Sequence, residues 1–186
     1  DENRFQKCDW EKLCKDASEA IPGNAPKARG NVMTTHCFVD ANHAGDTETR
    51  RSQTGMLLFC NRAPTAWFSK RQNSVEASTF GSEFTAMKNA VEMMEAVRCK
   101  LRMFGVPIEG PTNIFCDNGA VCSNATKLES TLTKKHHSVA CHRCREDVAA
   151  GTVRVSKERA STNLADTFAK IMAAMVREEL LDKFTC

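Results

Sequence analysis

Three short runs of strand-forming residues follow one another with links too short to hold a helix, and this order limits what the chain can fold into. His36 to Val39, Gly55 to Cys60 and Thr65 to Ser69 are rich in Phe, Val, Leu and Trp, and polar segments with Gly, Asn or Pro separate them. Parallel neighbours need a long crossover, so the Asp46 to Ser52 loop and the Cys60 to Pro64 link make the three strands antiparallel neighbours. From Glu76 to Phe104 no proline intervenes, and Phe84, Met87, Ala90, Val91, Met94, Val97 and Leu101 recur at helical spacing. That stretch predicts one long helix with Ser78 or Ser82 as its cap and Gly105-Val106-Pro107 as its end. Asn113 to Cys116 predicts a fourth strand, Ala120 to Ala125 a short helix, Lys134 to Ala150 a further helix, Val153 to Val155 a fifth strand, and Asn163 to Phe184 one or two helices. The order βββαβααβα predicts an α/β fold. Its five-stranded mixed sheet has three antiparallel strands followed by parallel crossovers, flanked by helices.

Composition narrows the class. At 186 residues with 41% hydrophobic and 26% charged residues, the chain is long enough for one main domain with a real core, and wholesale disorder is excluded. No apolar run approaches the roughly 18 to 20 residues of a membrane span. Ten cysteines tempt one toward a disulfide framework, but most sit inside apolar runs such as Cys37-Phe38-Val39 and Leu58-Phe59-Cys60, where a thiol behaves as a small core hydrophobe. The expectation is a reducing compartment. The polar start Asp1-Glu2-Asn3-Arg4, without Met, points to a piece of a longer polypeptide. Residues 1–34 read as a connector, because Pro22-Gly23-Asn24-Ala25-Pro26 breaks any helix.

The chemistry follows from four acids at element ends. Asp40 closes the first strand and Asp117 the fourth, and the crevice beyond strand ends is where open α/β sheets place ligands. Glu83 lies near the start of the long helix and Asp166 near the start of the last one. Four converging carboxylates require raised pKa values or a divalent cation, and hard oxygen ligands suit Mg²⁺ or Mn²⁺. Two such ions about 3.5–4 Å apart can activate water against a phosphodiester. The alternative reading is that these acids serve only as caps and complements to helix dipoles.

The net charge of +3 is too small to establish a nucleic-acid partner, but its distribution is uneven. Arg50, Arg51, Arg62, Lys70 and Arg71 fall in one stretch without an acid, and Lys134, Lys135, Arg143 and Arg145 fall with three histidines in another. They form either a solubilising surface or phosphate contacts. His136, His137, Cys141, His142 and Cys144 allow three readings: a solvated basic face, contact with nucleic acid, or zinc ligation. An EF-hand at Asp40 is excluded, because Ala44 and Arg51 stand where ligands are required. Trp67 and the Met87, Met94, Leu101 stripe are expected in the core.

Eight segments in order resemble the ribonuclease H domain of copia-type LTR retrotransposon polyproteins. They are Val39-Asp40-Ala41-Asn42-His43-Ala44-Gly45-Asp46, Arg50-Arg51-Ser52-Gln53-Thr54-Gly55, Trp67-Phe68-Ser69-Lys70-Arg71-Gln72, Ser82-Glu83-Phe84, Phe115-Cys116-Asp117-Asn118, Lys135-His136-His137, His142-Arg143-Cys144-Arg145-Glu146 and Asn163-Leu164-Ala165-Asp166. The resemblance implies a ribonuclease H-like domain over 35–170, a connector from a reverse transcriptase over 1–34 and a helical tail over 171–186. It implies hydrolysis of the RNA strand of RNA·DNA hybrids, giving a 5′-phosphate and a 3′-hydroxyl. Asp40, Glu83, Asp117 and Asp166 would hold two Mg²⁺ ions, with Mn²⁺ able to substitute. Hybrid contacts are expected from Arg50, Arg51, Lys70, Arg71, Asn118, Lys135, His136 and His137. The implied partners are the hybrid and the reverse transcriptase domain of the same polyprotein, with no membrane, and the implied setting is a cytoplasmic virus-like particle. Relatives usually continue after the last acid to Thr-Lys-Pro, whereas Thr167-Phe168-Ala169-Lys170-Ile171-Met172 has no proline, so a longer last helix is expected. Two other classes stay open: a catalytically weak nucleic-acid-binding module, and a zinc-stabilised interaction domain.

Overall fold

A computed structural model describes residues 14–127 and 137–185, with side chains to residue 182. The sheet contains β1 (Thr35–Asn42), β2 (Gln53–Cys60), β3 (Ala63–Arg71), β4 (Thr112–Cys116) and β5 (Val153–Lys157), in the order β3-β2-β1-β4-β5. β1 and β2 pair antiparallel, as do β2 and β3, whereas β4 runs parallel to both β1 and β5. This is the expected mixed sheet. The helices are α1 (Thr79–Met103), α2 (Gly119–Thr126), α3 (Ser138–Ala149), α4 (Asp166–Ala169) and α5 (Ala174–Thr185).

Of the two cap candidates, Ser78 is the cap of α1: its hydroxyl accepts from the Gly81 amide at 3.2 Å. Gly105, at φ +74°, takes the left-handed turn that ends the helix, a conformation that favours glycine. One face of the sheet, with Val39, Met56, Leu58, Ile114 and Cys116, packs on Phe84, Met87, Val91 and Met94 of α1 and on residues of α2 and α3. Each such fully buried apolar side chain contributes about 1.5–3 kcal/mol. On the opposite face Leu57 and Phe59 meet Leu164 and Leu180, a smaller cluster with Phe38, Phe168 and Met172 at its edge.

Three expectations fail. Trp67 is 71% exposed: it lies on the edge strand β3, outside the cover that Leu164 and Leu180 give its register partner Leu57. Leu101 is only half-buried, unlike Met87 and Met94. The last helix is not lengthened by the missing proline. α4 stops at Ala169 and Lys170 is extended, with φ −119° and ψ 147°.

The described part of the segment expected as a connector, residues 14–34, is hydrogen-bonded to the rest of the fold. Arg29 and Met33 donate backbone N–H bonds to the carbonyls of Gly105 and Pro107, both at 2.9 Å. Glu19 accepts from Arg98 Nε at 2.7 Å and Nη2 at 2.8 Å, and from Arg102 Nη2 at 2.9 Å. Among the described residues no helix is long and apolar enough to cross a membrane, and the described cysteines are free thiols.

Candidate active site

Register brings the acids together. Val39 pairs with Cys116 in the parallel β1–β4 ladder, so the next residues, Asp40 and Asp117, stand side by side where the two strands end. Asp40 also pairs with Gly55 of β2. A Cβ on Gly55 would lie 2.5 Å from the Ala169 nitrogen and 2.6 Å from the Ala165 oxygen, so only glycine lets the backbone of α4 approach this closely. That approach carries Asp166 to the cluster. Carboxylate oxygens of Asp40, Asp117 and Asp166 lie within 4.8 Å of one another, and oxygens of Glu83 and Asp117 lie equally close to the Cys116 sulfur. Gly55→Ala should therefore cost about 2 kcal/mol through overpacking and lower the melting temperature by roughly 6 °C, with cleavage falling as Asp166 moves. Thermal denaturation and a turnover assay check both parts, and an unchanged melting temperature would contradict the close contact.

Buried polar side chains hold the frame. Asn163 donates from Nδ2 to the Val39 carbonyl at 3.0 Å and accepts the Ala165 amide at 3.2 Å, joining the last loop to β1. Gln72 donates from Nε2 to Thr54 Oγ1 at 2.9 Å and to the Ser82 carbonyl at 2.8 Å, latching the end of β3 to the turn of α1 that carries Glu83. Ser69 Oγ donates to the Phe168 carbonyl at 2.6 Å.

Electrostatics in the cluster are strained in one direction. Burial, then the Asp166 charge, pushes the Asp40 carboxyl up to about 7, with Lys170 opposing. Burial together with Asp40 and Asp117 pushes Glu83 up to about 9. Asp117 is raised as well, chiefly by burial. Lys170 Nζ lies 3.2 Å and 3.1 Å from the two Asp40 oxygens and 3.1 Å from Asp166 Oδ1. Burial works against this ammonium, but Asp40 and Asp166 hold it above its usual range. Glu83 Oε2 and Asp117 Oδ1 are buried with no hydrogen-bond partner among the described residues. Buried anionic oxygens without donors fit a hard divalent cation, whose oxygen ligands are of this kind.

The expected nucleic-acid contacts separate. Arg50 and Lys70 are exposed and Arg51 half-buried. Arg71 is also exposed but pairs with Asp46. Asn118 caps α2, its Oδ1 accepting from Ala120 at 3.0 Å and Val121 at 3.2 Å. His137 is 4% exposed, packed edge-on to Phe80 with Nε2 3.7 Å from Glu76 Oε2, so it faces inward rather than onto a solvated basic face. Lys135 and His136 lie outside the described residues. Cys141 and Cys144 are buried core residues, and among the described residues the candidate ligand groups form around Asp117, with neither His137 nor these cysteines.

Sequence reasoning missed Lys170, Asn163 and Gln72 as parts of the site. For Lys170 a signal existed: it stands four residues after Asp166, the spacing of a helical ion pair. A groove leads away from Lys170 between Asn42, Gln53, Ser69 and Arg71. A second hollow, between the connector and α3, holds none of the four acids.

With this geometry, the similarities to known proteins fall into place. The Pol polyprotein of transposon RE2 from Arabidopsis thaliana is 31% identical over 145 residues, 76% of this chain and 10% of that protein. That of transposon RE1 from the same plant is 29% identical over 158 residues, 83% of the chain and 11% of the relative. The chain is a ribonuclease H domain of a copia-type Pol polyprotein. It spans about a tenth of the length of the polyproteins it matches. The ribonuclease H fold is seen again in solved structures. An LC11 ribonuclease H1 in complex with RNA/DNA hybrid aligns with a TM-score of 0.57 at 11% identity, covering 81% of this chain and 98% of that one. Ribonuclease H1 of Halobacterium salinarum aligns with a TM-score of 0.53 at 19% identity, covering 80% and 98%. No protein-family model matches the chain.

Proposed function

We propose that this domain hydrolyses the RNA strand of RNA·DNA hybrids during reverse transcription of a retrotransposon, using two divalent cations, Mg²⁺ by preference. The observation that carries the reading is the convergence of Asp40, Asp117 and Asp166, with Glu83 beside Asp117, where the buried Glu83 Oε2 and Asp117 Oδ1 have no donor among the described residues. Asp40, Glu83, Asp117 and Asp166 would hold the cations. When bound, such ions supply Lewis acidity toward the attacking water and the leaving oxygen of the phosphodiester. The chain's own part is positional. Gln72 and Asn163 keep Glu83 and the Asp166 loop in place against β1, so the carboxylates are preorganised before substrate arrives. Arg50, Arg51 and Lys70 supply positive charge for the phosphates of the hybrid, and a preference for RNA comes from contacts to the 2′-hydroxyl. The reverse transcriptase domain of the same polyprotein supplies the rest of the hybrid-binding surface, in the cytoplasmic particle the copia resemblance implies.

The test is cleavage of a labelled RNA·DNA hybrid by the purified chain in Mg²⁺, Mn²⁺ or EDTA, with Asp117→Asn and with RNA and DNA duplexes as controls. Hybrid-specific cutting lost in EDTA and in the variant is the expected result. Hybrid binding without any metal-dependent turnover would instead assign a catalytically weak binding module.

A further inference from the structure

Lys170 is mounted on rigid backbone but carries a movable charge. Its main chain follows directly on α4, which is clamped against Gly55 and held by the Ser69 to Phe168 hydrogen bond. Its ammonium reaches back to both oxygens of Asp40 and to Asp166 Oδ1, at 3.1 to 3.2 Å. Those are two of the three residues whose oxygens gather within 4.8 Å. The Lys170 side chain is 35% exposed, and the residue also lines the groove that runs to Gln53 and Arg71. Its flexible four-carbon stem therefore has a second place to go.

We propose that Lys170 is an exchangeable internal counterion, which neutralises Asp40 and Asp166 in the metal-free domain and is displaced into the groove when a divalent cation takes those carboxylates. This rests on the metal-dependent reading above. An ammonium and a divalent ion drawn to the same carboxylates repel each other strongly in a partly buried site, so a bound divalent cation favours moving the ammonium away. Cation loading and the presentation of Lys170 to the groove thus become one event. In the metal-free cluster Lys170 offsets part of the repulsion between the acids, and the loaded domain gains a positive charge in the groove where phosphates of the hybrid would pass.

Two measurements on the full chain test the exchange. The first is acylation of lysine amines, quantified by mass spectrometry with and without Mg²⁺, with Lys88 as an internal control since it pairs with Glu92 on the outside of α1. Labelling at Lys170 should rise severalfold on adding Mg²⁺ while Lys88 stays constant, the reverse of the protection a bound ligand usually gives. The second is Mn²⁺ binding followed by electron paramagnetic resonance, in which Lys170→Gln should bind about tenfold tighter than wild type because the internal competitor is gone. Unchanged or reduced labelling in a wild type that does bind Mn²⁺ overturns the exchange and leaves the metal reading standing. Equal Mn²⁺ affinity in the folded Gln variant does the same. Failure of both proteins to bind Mn²⁺ overturns the exchange and the metal reading together.

Discussion

Glu83→Gln should abolish hybrid cleavage while making the metal-free protein more stable at pH 8. Glu83 is 5% exposed, and burial with the Asp40 and Asp117 charges raises its carboxyl to about 9. In the unfolded chain the same group titrates in the ordinary carboxylate range. Because the folded value is the higher one, the folded state binds the extra proton, and stability falls as pH rises from about 4.5 toward 9. At pH 8 the accumulated loss is about 5 kcal/mol. Gln has no charge to bury, so the variant escapes that loss, and the two unfolding curves should converge near pH 4.5. Cleavage should fall on the order of a thousandfold or more, as for other groups that act as a unit. Mg²⁺ should stabilise wild type at pH 8 far more than the variant, by binding only the folded state. A variant less stable than wild type at both pH values would remove Glu83 from the electrostatic account.

Glu19→Ala should destabilise the domain by about 3 kcal/mol, or roughly 10 °C, although Glu19 is far from the acids in the fold. Arg98 is 2% exposed and satisfies its guanidinium largely through the Glu19 carboxylate, with Thr112 Oγ1 at 3.3 Å from Nη1. Removing the carboxylate strands a buried cation and releases the connector from α1. Burial works against the charge on Glu19, but Arg98 and Arg102 hold its carboxyl below the usual range. A depressed folded value means that this contribution is present above about pH 4.5 and is lost as pH falls through the folded pKa. The difference between wild type and variant should therefore narrow in acid. Replacing Glu19 by Leu and Arg98 by Met together should recover part of the loss, since the buried charge goes with its partner. Chemical denaturation at pH 7 and pH 3 measures all three, and a Glu19→Ala loss below about 1 kcal/mol would make the connector contact a surface ion pair.

Much of the architecture was legible because it is written in local patterns. The helical spacing from Phe84 to Leu101, the Ser78 cap and the Gly105 stop each depend on residues a few positions apart. Short links made β1, β2 and β3 antiparallel, and the acids at the ends of β1 and β4 marked Asp40 and Asp117 directly. The exposure of Trp67 was not legible, because strand propensity does not say which strand forms the edge or how far a short helix extends over it. The inward turn of His137 was equally hidden, since the Phe80 ring and Glu76 that enclose it come from a distant part of the chain.

The sequence by itself determined the elements, their order and the identity of the four acids, because periodicity, breakers and strand ends are properties of neighbouring residues. Only the tertiary structure decided that Lys170 lies against Asp40, 130 residues away in the chain, and that a glycine in β2 admits α4 close enough to bring Asp166 in. Those placements depend on strand register and on the absence of a single Cβ, and neither leaves a pattern in the residues nearby.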